Sequence, residues 1–300
     1  MPASPVCRKV NLTPFQTPFH CAGHIVVFRL FEKAMTLTPD IIDYDSQPMR
    51  DRVVLVTGGA QGIGRGIAQA VLGAGGCVMI GDLDADAGRA CLDEWGVKRR
   101  AAFRQLDVSR ESSVRQWVRA AMTRFGRIDG LINNAGIADP HGGDLSQLTL
   151  ATWNRYLATN LTGAFLCCKH ALPNLREARG AIVNIASSRA LQSEPDTEAY
   201  AASKGGLLAL THAVAVSQGP QVRSNAILPG WIATDDWRKP TARRTPQLSR
   251  RDNAQHPAGR VGTPRDIGAL AVYLLSDASG FVTGQSFTVD GGMGVKMQYV

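Results

Sequence analysis

From Val53 onward, short unbroken apolar runs alternate with longer stretches of helical spacing. Val53-Val54-Leu55-Val56 contains no polar residue, the pattern of a strand covered on both faces in a parallel sheet. Residues 63–74 carry helical spacing, and residues 77–81 read as a second strand. Residues 84–95 are again helical, and residues 101–108 read as a third strand. Ser109, followed by Glu111, predicts an N-cap and an acidic first turn for the next helix. Leu131-Ile132 begins a fourth strand, and residues 151–175 predict one long helix. Residues 181–186, 222–228 and 286–289 supply strands five to seven, with a helix expected over 198–217. Strands separated by helices of this length predict an α/β fold: a single-domain, doubly wound, seven-stranded parallel sheet with helices on both faces.

The first 48 residues do not share this alternation. They lack an acidic residue before Glu32, and the apolar stretch 24–30 is too short and poorly flanked for a secretory signal. They are expected to be a disordered extension, or to precede a true start at Met49 or Met35. The fold domain is assigned to residues 49–300.

Composition narrows the classes. At 44% hydrophobic and 19% charged, the chain is of ordinary globular type. No apolar run approaches the roughly 20 residues that span a bilayer, so no membrane association is expected. The formal net charge of +8 belongs to the body of the chain, because Arg8, Lys9, Arg29 and Lys33 balance Glu32, Asp40, Asp43 and Asp45. Much of it is arginine on predicted helix surfaces, with no nucleic-acid motif beside it, so a solvated basic surface is expected. None of the six cysteines has C-x-x-C spacing, and Cys167 and Cys168 are adjacent in an apolar helical run. Reduced thiols, a cytoplasmic location and no metal site follow.

Two stretches carry chemistry. Thr57-Gly58-Gly59-Ala60-Gln61-Gly62-Ile63-Gly64 lies where the first strand meets the first helix. Its glycines permit positive φ and close backbone approach, and the helix start offers unpaired N–H groups to phosphates. Asp82, at the end of strand two, is placed to accept hydrogen bonds from both hydroxyls of an adenosine ribose and to repel a 2′-phosphate. The second stretch is Tyr200-Ala201-Ala202-Ser203-Lys204, where a phenol and an ammonium share a helix face. A neighbouring cation favours the phenolate, which moves Tyr200 towards general acid/base use.

These motifs resemble the T-G-x-x-x-G-x-G and Y-x-x-x-K patterns of the short-chain dehydrogenase/reductase family, and further matches run in order from Val53 to Gly292. Asp107-Val108 resembles the pair that contacts adenine. Asn133-Asn134-Ala135-Gly136 resembles the N-N-A-G segment bordering the cofactor, and Asn160 the asparagine of the catalytic tetrad. Ser187, thirteen positions before Tyr200, takes the serine's place. Pro229-Gly230-Trp231-Ile232-Ala233-Thr234 resembles the segment at the nicotinamide. The resemblance implies a Rossmann fold, with Asn160, Ser187, Tyr200 and Lys204 as catalytic residues. It also implies a cofactor site of Gly58, Gln61, Gly62, Ile63, Gly64, Asp82, Leu83, Asp107, Val108, Asn134, Ala135, Gly136, Tyr200, Lys204, Pro229, Gly230, Ile232 and Thr234. NADP-preferring relatives carry a basic residue where this chain has Gln61 or Leu83, so NAD is expected over NADP. A homo-oligomer, tetramer or dimer, is implied, with the apolar face of 151–175 as a candidate interface.

The substrate lid is assigned to about 231–264, where Arg238, Lys239, Arg243, Arg244, Arg250 and Arg251 outnumber Asp235, Asp236 and Asp252. Such a lid either attracts an acidic substrate or carrier protein or is simply solvated. Arg189, Gln192, Glu194, Asp196 and Glu198 make a polar approach to Tyr200 and favour a small-molecule sugar, polyol or oxo-acid. The expected activity is hydride transfer between NAD and a secondary alcohol or ketone. A 3-oxoacyl-thioester (acyl-carrier-protein) reductase is the alternative within the class, and a non-catalytic dinucleotide sensor the alternative outside it.

Overall fold

The computed structural model describes residues 46–297. The expected N-terminal extension falls outside them except for Ser46, Gln47 and Pro48. Seven strands pair in parallel: β1 (Val53–Thr57), β2 (Cys77–Asp82), β3 (Ala101–Gln105), β4 (Gly130–Asn133), β5 (Ala181–Ile185), β6 (Arg223–Pro229) and β7 (Ser286–Val289). Their order is β3-β2-β1-β4-β5-β6-β7. The helices are α1 (Gly62–Gly73), α2 (Ala85–Trp95), α3 (Glu111–Phe125), α4 (Leu150–Tyr156), α5 (Gly163–Ala178), α6 (Glu198–Gln218), α7 (Arg250–Ala254) and α8 (Pro264–Leu275).

The unbroken apolar run of β1 is explained by burial on both sides. Successive side chains of a strand point to opposite faces. Val54 and Val56 enter one core with Ile67 and Val71 of α1 and Ile267 and Leu274 of α8. Val53 and Leu55 enter the other with Val114 and Trp117 of α3 and Leu166 and Leu175 of α5. Met49 is buried in the first core and its N–H donates to the Ala74 carbonyl, so the packed region begins just before β1.

Two elements differ from the sequence expectation. Strand three ends at Gln105 instead of running to Val108, because Asp107 organises a local turn. Its carboxylate accepts from the Ser109 N–H at 3.0 Å and the Ser109 hydroxyl at 2.6 Å. Ser109 is thereby withdrawn from capping; Arg110 stands at the N-cap of α3 without a side-chain cap. Short polar side chains compete with the ladder in this way. The long helix expected over 151–175 is α4, then a π turn at Leu157–Thr162, then α5.

Strand order reverses between β1 and β4, where a crevice opens beyond the carboxyl ends of the strands.

Candidate active site

The phosphate-type loop is stitched from two sides. Thr57 Oγ1 accepts from the N–H groups of Asn134 (2.9 Å) and Ala135 (3.0 Å) and donates to the Ile132 carbonyl. Asn134 Nδ2 donates to the carbonyls of Thr57 and Gly58, each at 3.0 Å. Gly58 has φ +59°, and a Cβ on it would lie 2.9 Å from Ala135 Cα. A Cβ on Gly64 would lie 2.1 Å from the Gly58 carbonyl oxygen, so only glycine lets α1 start this close to the loop. The first turn of α1 holds no acidic residue, which leaves its positive end free for an anion.

Asp82 closes this end of the crevice. Its carboxylate accepts from the N–H groups of Ala60 and Asp84, both at 3.1 Å. Burial raises its pKa from the ordinary aspartate value, against the pull of those amides.

At the other end, α6 presents Tyr200 and Lys204. Lys204 Nζ donates to the Ile185 carbonyl at 2.8 Å and lies 5.7 Å from the Tyr200 ring centroid. Burial lowers the Lys204 pKa to about 8. Burial also pushes the Tyr200 phenol above its ordinary value. The hydroxyl of Ser187, hydrogen-bonded to it, and the charge of Arg189 pull the other way. The i,i+4 spacing predicts a phenol lowered by the Lys204 ammonium; instead desolvation outweighs the pull of Ser187 and Arg189, and the net shift is upward. Ser187 ends the approach from β5, and its Oγ accepts from the Arg189 N–H at 3.1 Å.

One cleft of about 1660 Å³ joins both ends. It is lined by every residue expected at the site except Gly64 and Asn160. Gly64 packs beneath the loop. Asn160 sits in the π turn, 1% exposed, and does not bond Lys204. Its Oδ1 accepts from the Ile137 N–H at 2.8 Å and its Nδ2 donates to Ser203 Oγ at 3.0 Å. Ser203, Thr57 and Ile137 are structural partners that sequence reasoning missed. Ser203 had a signal, since it adjoins Lys204 and lies one helical turn from Tyr200.

Comparison with known proteins decides the family. The profile described as Enoyl-(Acyl carrier protein) reductase matches residues 58–294. An uncharacterized oxidoreductase of Thermotoga maritima is 44% identical over 84% of this chain and 99% of its own length. The chain belongs to the short-chain dehydrogenase/reductase family. The L-fucose dehydrogenase of Oryctolagus cuniculus is 41% identical over 80% of this chain and 84% of its own. A solved short-chain dehydrogenase/reductase from Brucella melitensis, described as a glucose/ribitol dehydrogenase, superposes with TM-score 0.74. It is 31% identical and covers 85% of this chain and 100% of that one. Enzymes of this family use the nicotinamide dinucleotides NAD or NADP.

In this family member the basic lid is partly tied down. Lys239 Nζ pairs with Asp84 at 2.7 Å and its N–H donates to Gln61 Oε1 at 3.1 Å. Arg243 pairs with Glu94 at 2.9 Å, and the buried Arg65 holds the same carboxylate at 2.7 Å. Arg65, the other cation near the loop, is thus committed to Glu94 and to the Arg238 carbonyl at 3.3 Å. Arg244, Arg250 and Arg251 remain exposed. Among the described residues, no helix is long and apolar enough to cross a membrane, and no cluster of metal-ligating side chains occurs.

Proposed function

We propose that the protein is an NAD-dependent oxidoreductase acting between a polar secondary alcohol and its ketone, with Tyr200 as general acid/base. The observation that carries this reading is the convergence of Ser187, Tyr200 and Lys204 at one end of a cleft whose other end holds Asp82.

The residues fit the cofactor. The glycine cradle against Ala135 and the unopposed start of α1 suit a pyrophosphate. Asp82, with Leu83 beside it, favours a ribose with free hydroxyls over a 2′-phosphate. Arg65, paired with Glu94, is not free to compensate that repulsion. Asp107, Val108, Pro229, Gly230, Ile232 and Thr234 all line the cleft; the first two would border the adenine and the other four the nicotinamide. When bound, the nicotinamide accepts or returns the hydride.

The chain's own residues manage the proton. Tyr200 takes the hydroxyl proton of an alcohol, or gives one to a carbonyl oxygen. Ser187, its Oγ accepting from the Arg189 amide, faces its O–H towards the Tyr200 phenol, where the same O–H is placed to donate to the substrate oxygen. Lys204 supplies a donor for the cofactor ribose and positive charge beneath the phenol.

A 3-oxoacyl-thioester reductase is the second reading, favoured by exposed Arg244, Arg250 and Arg251; the description of the matching family profile shares with it the acyl carrier protein and not the 3-oxo reaction. The pairing of Lys239 and Arg243 within the chain weakens it. The free thiols of Cys77, Cys91, Cys167 and Cys168 support a reducing, cytoplasmic setting, and exposed Phe165 on α5 supports assembly through that helix. The test is absorbance at 340 nm with NAD or NADP against sugars, polyols, hydroxy acids and 3-oxoacyl thioesters. NAD-linked turnover of the polar alcohols is expected. Turnover of none of them, with cofactor bound, defeats the reading.

A further inference from the structure

Trp231 stands between Gly230 and Ile232, and all three line the cleft. Its main chain is pinned on both sides. The Gly230 N–H donates to the Val289 carbonyl at 3.0 Å, the Trp231 carbonyl accepts from the Gly262 N–H at 3.1 Å, and Ile232 bridges to Gly262. The indole is 40% exposed, yet it rests against a buried ring: its centroid lies 6.1 Å from that of His256, which is 2% exposed and tilted by 53°. His256 is itself fixed, with Nδ1 3.1 Å from the Asp252 carbonyl, and a Cβ on Gly291 would meet its Cβ at 3.2 Å. A large aromatic ring is thus held in place while much of its surface stays open.

Two neutral carboxamides share the cleft. Gln255 adjoins His256 in the chain, and Gln192 lies beside the C-terminal segment, where a Cβ on Gly294 would stand 3.4 Å from Gln192 Nε2. Both line the cleft, as does Met293. Neither carboxamide, nor the Trp231 indole N–H, has a hydrogen-bond partner among the described residues. Nearby charge is already engaged: Arg189 pairs with Glu194, and Arg155 lies over the Tyr156 ring, 5.9 Å from its centroid.

These groups suit a ligand with two kinds of surface. A flat indole offers dispersion contact over a whole face, and its negative π cloud attracts the weakly positive hydrogens of C–H groups. A carboxamide offers a donor and an acceptor together, and a hydroxyl is both. A pyranose has this form, with a face of C–H groups and hydroxyls around its rim. An open-chain polyol has the hydroxyls but no fixed face, and an acyl chain would leave both carboxamides bare.

We infer that Trp231 is a stacking platform for a ring whose rim hydroxyls are read by Gln192 and Gln255, so that the substrate is a neutral cyclic sugar. This rests on the proposed oxidoreductase activity and makes Trp231 a specificity-determining residue of that site.

The test compares D-glucose, D-galactose and L-fucose with their alditols, using NAD, in the full-length wild type and in Trp231→Phe, Trp231→Leu, Gln192→Leu and Gln255→Leu. At least one sugar is expected to exceed its alditol in kcat/KM. An aromatic contact or a neutral hydrogen bond is worth about two- to tenfold. Trp231→Leu, which keeps apolar bulk without a ring, is expected to cut the sugar-to-alditol ratio by that factor, and Trp231→Phe to keep part of it. Each glutamine variant is expected to lower kcat/KM for the sugar by the same order. Calorimetry on Tyr200→Phe with NAD bound reads sugar affinity without turnover, and adding Trp231→Leu is expected to raise the sugar Kd by about two- to tenfold. An unchanged Kd overturns the inference, as does an alditol preferred in the wild type or an equal loss on sugar and alditol. A Trp231→Leu loss matched by a raised NADH Kd overturns it and assigns the indole to the nicotinamide. Preference for D-gluconate over D-glucose overturns it as well and assigns this wall to anions. The parent reading fails separately, if Tyr200→Phe retains turnover or the wild type with NAD bound oxidises no alcohol.

Discussion

Asn160 Nδ2 donates to Ser203 Oγ at 3.0 Å, and Ser203 Oγ donates to the Tyr200 carbonyl at 2.7 Å. The π turn and the helix bearing the phenol are thus joined through one buried hydroxyl. Ser203→Ala removes the acceptor for Asn160 and leaves a buried amide short of a partner, at a cost of about 1–3 kcal/mol. Chemical denaturation should show that loss, and kcat should fall without a matching rise in KM for NAD.

Tyr200→Phe keeps the ring packing against Tyr156, whose centroid is 6.4 Å away, and removes only the hydroxyl. Turnover should drop by about 10²–10⁴-fold, the usual contribution of a positioned acid/base. NADH binding, followed by fluorescence, should persist.

Asp82 holds two backbone amides and, on the proposed NAD reading, also selects the ribose, so its replacement should have two effects. Asp82→Ala should narrow the NAD/NADP ratio of kcat/KM, with about ten- to hundredfold lost on NAD from the missing charged hydrogen bonds. The amides of Ala60 and Asp84 also lose their acceptor, so the melting temperature should fall as well. Steady-state kinetics with each cofactor, alongside a thermal melt, separates the two.

Lys204 gives a pH signature. Its folded pKa of about 8 lies below the ordinary lysine value of 10.5, because burial disfavours the charged form. The folded state therefore releases a proton that the unfolded chain still holds between those limits, and stability rises with pH across that window. Below pH 8 the buried charge costs its full amount. Lys204→Met should be most stable relative to wild type below pH 8, with the difference shrinking towards pH 10.5. Thermal melts over pH 6–10, read as Tm differences, check the sign.

The latch between the lid and α1 and α2 should govern lid mobility. Glu94→Gln weakens the pairing with Arg65 and Arg243. Trypsin should then cut faster near Arg243 and Arg244 than in wild type, without loss of the global melting transition.

The sheet was legible because burial on both faces of β1 demands apolar residues at every position, leaving little ambiguity between strand and helix. The cleft was legible because loop glycines and helix spacing are local properties. What stayed hidden is non-local. The committed state of Lys239 and Arg243 depends on Asp84 and Glu94, about 150 positions earlier. The raised Tyr200 pKa reflects burial among side chains from several elements, which a neighbour four residues away does not report. Ser109 was read as a cap, but Asp107 competes for the same hydroxyl. The pairing of Arg189 with Glu194 required a loop conformation that residue spacing does not define.

The π turn at Leu157–Thr162 sets a rule for how this chain can vary over time. Each residue advances an α-helix by about 100°, so adding one residue there, beyond the one the π turn already absorbs, would rotate Asn160 relative to everything after it. Leu166, Cys167, Ala171 and Leu175 would turn away from the sheet with it. Single exchanges of side chain along this stretch leave that phase intact. Its length, more than its letters, is what inheritance has to preserve.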